Sequence, residues 1–391
     1  IIIPSISNGV SEIKNFLKSE DVMNTLEAFK LMGVRHEINN NNLIIYGNGL
    51  NSLQKPKTNI YLGNSGTSAR LLTGLLSSQN FDTTILGDKS LSNRPMNRIS
   101  EPLKKMNAII ETTNGSLPLK IKKSKLINTE IDIKIPSAQI KSAIILAALN
   151  THGETTIIEP KQTRDHTELL LKYLKVNYKN QKINSGGRKL IFNGPYEIKS
   201  KNIYVPGDPS SAAFIVVGAL ITPNSKIKLL NVSLNKTRIA YLSILKEMGG
   251  KIKIKKTKIR SGEQLGTITV SASSLKGLTI PAKLSAYLID EYPILSIAAS
   301  QAKGITRMKG LDELRHKESD RIKSIVGMLK SFGIKAKTKN NDIKIYGSST
   351  KEVNCKKTVK VYSDHRIALS ASILGIVSNN SVKLDDGGKS M

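Results

Sequence analysis

Ala143-Ile144-Ile145-Leu146-Ala147-Ala148-Leu149 is apolar on every side of a helical wheel, and Ile294-Leu295-Ser296-Ile297-Ala298-Ala299 has the same character. A surface helix keeps a polar stripe, so helices without one are expected to be covered all round. Neither run reaches the roughly 20 apolar residues of a membrane span. The neighbouring segments differ in kind. Val22, Leu26 and Phe29, and again Ile322, Ile325, Leu329 and Phe332, recur at helical spacing and leave a polar face. Gly33, Gly249 and Gly333 fall where a left-handed residue would end such helices.

Two kinds of segment therefore alternate along the chain. A turn, an amphipathic helix and alternating strands are read at 19–46, 90–121, 163–192, 235–270 and 317–346. A smooth small-residue helix, a polar turn and a strand are read at 68–86, 138–158, 210–230, 290–308 and 365–384, with 1–16 resembling the back half of a sixth copy. A recurrence of roughly 70–80 residues is longer than a solenoid turn, so each copy is a small βα unit. The fold class is α/β (α+β), with sheets outside and dry helices inside. A chain of 391 residues is too long for one core. Six units divide into three and three, which places the domains at 1–205 and 206–391, with Pro206-Gly207 as a hinge or turn.

The net charge of +30 invites a nucleic-acid reading. The lysines, however, are spread over every surface strand rather than gathered in a stripe. Aromatic residues make up only 4% and Trp is absent, which leaves few platforms for stacking bases. A diffuse positive field suits the capture of small anionic substrates instead. Cys355 is the single cysteine, so no internal disulfide can form, and a reducing compartment, the cytoplasm, is expected. The five histidines show no metal-ligand spacing, and no metal is expected.

Charged and hydroxyl residues gather where helices begin. Lys317-Glu318-Ser319-Asp320-Arg321 and Asp364-His365-Arg366 each put cations and carboxylates at a positive helix end. Leu62-Gly63-Asn64-Ser65-Gly66-Thr67-Ser68-Ala69-Arg70 is a glycine-rich turn feeding a buried helix, fit for a phosphate cradle or for a tight turn alone. Asn93-Arg94-Pro95-Met96 sets an arginine before a proline expected to open a helix. Pro136-Ser137-Ala138-Gln139 and Pro206-Gly207-Asp208-Pro209-Ser210-Ser211 have the form of helix caps.

Taken in order, these stretches resemble the 5-enolpyruvylshikimate-3-phosphate synthase family. The resemblance runs essentially end to end, through Gly63-Asn64-Ser65-Gly66-Thr67, Arg94-Pro95-Met96, Ser137-Ala138-Gln139, Thr163-Arg164-Asp165-His166-Thr167-Glu168, Ile289-Asp290-Glu291, Lys317 to Arg321 and Asp364-His365-Arg366. It implies a two-domain inside-out α/β barrel, three βαβαββ-type units per domain, with the active site in the cleft between domains. It also implies transfer of the enolpyruvyl group of phosphoenolpyruvate to the 5-hydroxyl of shikimate 3-phosphate, through a tetrahedral intermediate and without a cofactor. Shikimate 3-phosphate would be held by Ser137, Ala138, Gln139, Arg164, Asp290 and Lys317. Phosphoenolpyruvate would meet Asn64, Gly66, Arg94, Gln139, Arg321 and Arg366, guanidinium forks being suited to phosphate and carboxylate. Asp290 would be the base, Glu318 the acid, and Lys317 the neighbouring cation. The partners implied are these small molecules only, with no nucleic acid and no membrane, and a monomer is expected. Gly66 implies sensitivity to glyphosate.

Against the family pattern, Ile1-Ile2-Ile3-Pro4 resembles the interior of a first buried helix, and the chain stops at Lys389-Ser390-Met391. The preceding Pro-Gly-x-Lys-Ser segment and the closing Ser-Phe-Pro-x-Phe stretch are not in it, so both ends are read as missing; were these 391 residues the whole polypeptide, an incomplete sixth unit and weak or no turnover would be expected. Two other functions compete. UDP-N-acetylglucosamine enolpyruvyl transferase shares fold and chemistry but usually carries a cysteine on a first-domain loop, whereas Cys355 lies in the second half. A basic nucleic-acid-binding repeat protein would show strongly salt-dependent binding to DNA or RNA.

Overall fold

The computed structural model describes residues 1–348 and 353–391. The chain divides into two compact units, Ile1–Val205 with Arg260–Gly262, and Pro206–Ile259 with Glu263–Met391.

In the first unit, three separate four-stranded sheets surround a common core. Their orders are Ile203–Tyr204, Asn8–Lys14, Asn42–Asn48, Arg35–Asn39; then Ile60–Tyr61, Thr83–Leu86, Ser116–Lys122, Ile109–Thr113; then Lys179–Lys182, Arg188–Gly194, Gly153–Glu159, Glu130–Asp132. Ile60–Tyr61 pairs in parallel with Thr83–Leu86, and Glu130–Asp132 with Gly153–Glu159. Parallel neighbours need a crossover connection. Helix α1 (Gly66–Ser77) supplies the first and α2 (Ala138–Ala148) the second. Both crossover helices are buried almost throughout, as the missing polar stripe requires. They approach so closely that a Cβ on Gly74 of α1 would lie 2.0 Å from the Ala143 carbonyl oxygen of α2. Small residues in these helices are therefore a packing requirement.

The second unit repeats the plan. One sheet joins Lys226–Ser233, Glu263–Ser271 and Lys251–Arg260, and another Thr279–Ile280, Gly304–Met308, Asp342–Gly347 and Ala336–Lys339. Its core helices are α3 (Pro209–Ile221), α4 (Tyr292–Ser300) and α6 (His365–Gly375), with the amphipathic α5 (Arg321–Ser331) packed on them. The sheets stay separate in both units, so the barrel is an arrangement of sheets around helices and not one closed ladder.

Gly33, Gly249 and Gly333 do adopt φ of 86°, 98° and 71°, ending three amphipathic helices. Two local expectations fail. Pro95 does not open a helix: the helix begins at Asn97, and Met96 N–H is turned to the Gly115 carbonyl at 2.7 Å. The strand expected up to Leu384 shrinks, among the described residues, to the single parallel bridges Val353–Ser378 and Val359–Leu384. A strand needs a continuous hydrogen-bonded partner, and these bridges do not extend into a ladder. Among the described residues, no helix is long and apolar enough to cross a membrane.

Candidate active site

In the first unit the site is assembled at the starts of α1 and α2. Gly63 takes φ 55°, and Ser65 caps α1 by accepting the Ser68 N–H at 3.3 Å. That turn sets Asn64 and Gly66 against Arg94. Arg94 Nη2 donates to Asn64 Oδ1 at 2.5 Å, and a Cβ on Gly66 would lie 2.8 Å from Arg94 Nη1. The guanidinium thus occupies room that a side chain at Gly66 would remove.

Gln139, in the first turn of α2, ties the two helices together. Its Oε1 accepts from Arg70 Nη1 at 2.5 Å and its Nε2 donates to Thr67 Oγ1 at 2.8 Å. Arg70 carried no expectation of its own, because one arginine at the end of a glycine-rich stretch has no pattern. Its signal is the partner on another helix. Ser137 holds the N-cap position of α2 but makes no capping hydrogen bond with its side chain, and beside it Ala138 is half-buried. The half-buried Arg164 follows Thr163, whose N–H and hydroxyl both donate to Glu159 Oε2, at 3.2 and 2.8 Å.

In the second unit a fully buried guanidinium organises the charges. Arg321 Nε donates to Asp364 Oδ2 at 2.9 Å, Nη1 to Asp290 Oδ1 at 3.1 Å, and Nη2 to Glu318 Oε2. Burial alone would lower the pKa of Arg321; the carboxylates of Asp364, Glu318 and Asp290 more than reverse this and hold it above the ordinary value. Asp290 collects two further cations, with Lys317 Nζ 3.5 Å from Oδ1 and Arg366 Nη2 3.8 Å from Oδ2. Arg366 Nη1 also donates to the Asp290 carbonyl at 3.2 Å. Asp320 and Asp364 cap α5 and α6, accepting from Lys323 N–H and Arg366 N–H. The structure brings together Asp290, Lys317, Glu318, Arg321 and Arg366 within this unit, and adds Asp364. Arg321 directs its donors at acidic side chains, so a substrate carboxylate could reach it only by displacing one of them. Glu318, with its side chain 24% exposed, is the most accessible of the three.

A second arginine joins α3 to α4 and was not singled out from the sequence. Arg238 Nη2 donates to Asp208 Oδ1 at 2.8 Å and to Ser210 Oγ at 2.6 Å, and Ser210 Oγ donates to Glu291. Burial pushes the Asp208 carboxyl up, but Arg238 and the Ser211 N–H and hydroxyl hold it below its usual value. Asp208 does cap α3, as its position suggested, through Ser211 N–H at 2.7 Å. Among the described residues no group of three or more His, Cys, Asp or Glu could hold a metal ion.

The arginine, lysine and carboxylate side chains gathered at the helix starts of the second unit are of the kind that enzymes acting on small polyanions carry. The sequence model described as EPSP synthase (3-phosphoshikimate 1-carboxyvinyltransferase) matches residues 1–389, and the chain belongs to that family. A 3-phosphoshikimate 1-carboxyvinyltransferase of Ruthia magnifica subsp. Calyptogena magnifica is 43% identical over 387 residues, covering 99% of this chain and 87% of the relative. One from Caldicellulosiruptor bescii is 43% identical over 389 residues, covering 98% and 89%. The solved EPSP synthase of Acinetobacter baumannii superimposes with a TM-score of 0.83 at 38% identity, over 98% of this chain and 87% of that one.

Proposed function

We propose that this protein transfers the enolpyruvyl group of phosphoenolpyruvate to the 5-hydroxyl of shikimate 3-phosphate, releasing phosphate. The observation that carries the reading is the charge cluster of the second unit, in a chain that belongs to the EPSP synthase family. Both substrates are polyanions, and fixed guanidinium groups bind such groups without reorganising.

In the addition step the acceptor oxygen bonds to C2 of phosphoenolpyruvate, its proton passes to Asp290, and the methylene carbon takes a proton from Glu318. In the elimination step the C2–O bond to phosphate breaks, the leaving phosphate takes the proton held by Asp290, and a proton of the methyl carbon returns to the Glu318 carboxylate, giving the enol ether and phosphate and restoring both side chains. Ser137, Ala138, Gln139 and Arg164 hold shikimate 3-phosphate, and Asn64, Gly66 and Arg94 receive phosphoenolpyruvate. Arg366 also binds phosphoenolpyruvate, and Lys317 stands beside Asp290. Arg321 serves as the third grip when Glu318 yields its place. A protonated Glu318 holds Arg321 less tightly than an ionised one, so its acid role and Arg321's freedom are coupled. The protein works as a cytoplasmic monomer without a cofactor in this reading. The free thiol of Cys355 fits a reducing compartment.

The deciding experiment follows phosphate release from phosphoenolpyruvate with either shikimate 3-phosphate or UDP-N-acetylglucosamine as acceptor. Release only with shikimate 3-phosphate, abolished by Glu318→Ala, is the expected result. Release with the nucleotide sugar would overturn the reading.

A further inference from the structure

Lys141 is an unusual residue to find inside a dry helix core. Its side chain is wholly buried on α2, where a neighbouring apolar residue would have avoided desolvation. Its Nζ lies 3.0 Å from Glu159 Oε1 and 2.6 Å from Glu168 Oε1, and those carboxylates are equally buried. Burial pulls the ammonium down, while Glu168 and Glu159 more than restore it, so Lys141 stays charged. Buried ion clusters are weak contributors to stability compared with apolar packing of the same volume, but they can specify one geometry.

The geometry specified here belongs to a loop. Lys141 stands one turn into α2, its N–H bonded to the Ser137 carbonyl at 3.1 Å, so it is fixed to the turn that carries Ser137 and Gln139. Glu159 ends the strand Gly153–Glu159 and holds Thr163 through its second oxygen. Glu168 lies in the first turn of the helix His166–Tyr173, and Ser142 and Thr167 hydroxyls add a 2.7 Å bond between the same two elements. Both ends of the 159–168 segment are therefore clamped to one ammonium, with Arg164 between them.

We propose that Lys141, with Glu159 and Glu168, is a positioning residue that sets Arg164 against the Ser137–Gln139 turn, and so determines affinity for the phosphorylated acceptor. The inference rests on the reading of those residues as the shikimate 3-phosphate holders. Lys141 touches no substrate; it acts through Arg164. Its removal should weaken acceptor binding and leave phosphoenolpyruvate handling nearly intact.

The test is calorimetric titration of shikimate 3-phosphate into the purified protein, with KM for each substrate measured alongside. Lys141→Met should raise the dissociation constant for shikimate 3-phosphate tenfold or more, with KM for phosphoenolpyruvate within twofold. Lys141→Arg, which keeps the charge, should recover part of the loss. Thr163→Val removes one hydroxyl from Glu159 without emptying the core, so it reads the clamp even if Lys141→Met does not fold. It should raise the same constant severalfold. Unchanged acceptor affinity in folded Lys141→Met, or in Thr163→Val, would overturn the proposal. So would a loss confined to kcat. A wild-type protein that binds no shikimate 3-phosphate would instead remove the functional reading itself, and this inference with it.

Discussion

Arg321 and Asp364 form a side-on ion pair with no solvent on either partner: Nε donates to Oδ2 at 2.9 Å, and Nη2 lies 3.4 Å from Oδ1. Because the Asp364 side chain also accepts the Arg366 N–H, the pair fixes the start of α6 as well as the guanidinium. The remaining donors of Arg321 then point at Asp290 and Glu318.

That arrangement makes Arg321→Lys a severe change. An ammonium offers donors from one point and cannot span three carboxylates. Breaking one member of a buried charge network leaves others uncompensated, at a cost of about 3 kcal/mol or more. Turnover should fall at least ~100-fold, since Asp290 and Glu318 lose their common anchor. Urea unfolding and phosphate release measured on the same preparation check both parts. Wild-type values in either would show that the network is not what orders the site.

Gly66→Ala should separate binding from folding. The added Cβ would stand 2.8 Å from Arg94 Nη1, the far end of a flexible side chain, so the guanidinium moves and the helix does not. KM for phosphoenolpyruvate is expected to rise about tenfold, roughly 1.4 kcal/mol of lost interaction. The urea midpoint should stay within error of wild type. Glyphosate titration of wild type belongs with the same experiment, since turnover insensitive to it would contradict the role given to Gly66.

How much of this was legible in the sequence depends on the length scale of the signal. The all-round apolar character of 143–149 and 294–299 announced buried helices, and buried helices require enclosing sheets; that inference needs only local periodicity. The positive φ of Gly33, Gly249 and Gly333 was equally local. Site residues within one motif, such as Lys317, Glu318 and Arg321, could be named together for the same reason. Arg70 with Gln139, and Arg238 with Asp208, could not, because each pair joins residues from different helices or loops and only the packing of the core sets the register. Lys141 was hidden differently: just before an apolar run its charge reads as the polar start of the helix, until two distant glutamates show that it is buried with partners.

Glu168 should make stability depend on pH in a definite direction. Burial raises its pKa above the ordinary 4.5, with Lys141 opposing. A carboxyl with a raised folded-state pKa contributes stability that is fully present below the unfolded value and is lost as pH rises through the folded one. Glu168→Gln removes that titration. The stability difference, wild type minus variant, should therefore be largest at acid pH, below the ordinary carboxyl value, and shrink as pH rises above it. Urea unfolding of both proteins at a series of pH values measures it. A difference that grows with pH would mean that Glu168 is better tolerated ionised than protonated.

The last prediction concerns two glycines, both inside helices and opposite in expected effect. A Cβ on Gly74 would fall 2.0 Å from the Ala143 carbonyl oxygen, with the Ala143 carbonyl carbon 2.5 Å away. These are backbone atoms in the middle of α2 and cannot swing aside, so Gly74→Ala must push the two buried helices apart. Overpacking of that kind costs about 3 kcal/mol, and the displacement would also disturb Gln139 where it spans Thr67 and Arg70. Gly327, in α5, has nothing within 4 Å of the corresponding position and faces solvent. There alanine only removes backbone freedom from the unfolded chain and restores helix propensity, so Gly327→Ala should stabilise by about 0.5–1 kcal/mol. Urea midpoints of the two variants should therefore move to opposite sides of wild type. If Gly74→Ala matched wild type, the close crossing of α1 and α2 would have to be looser than these distances require.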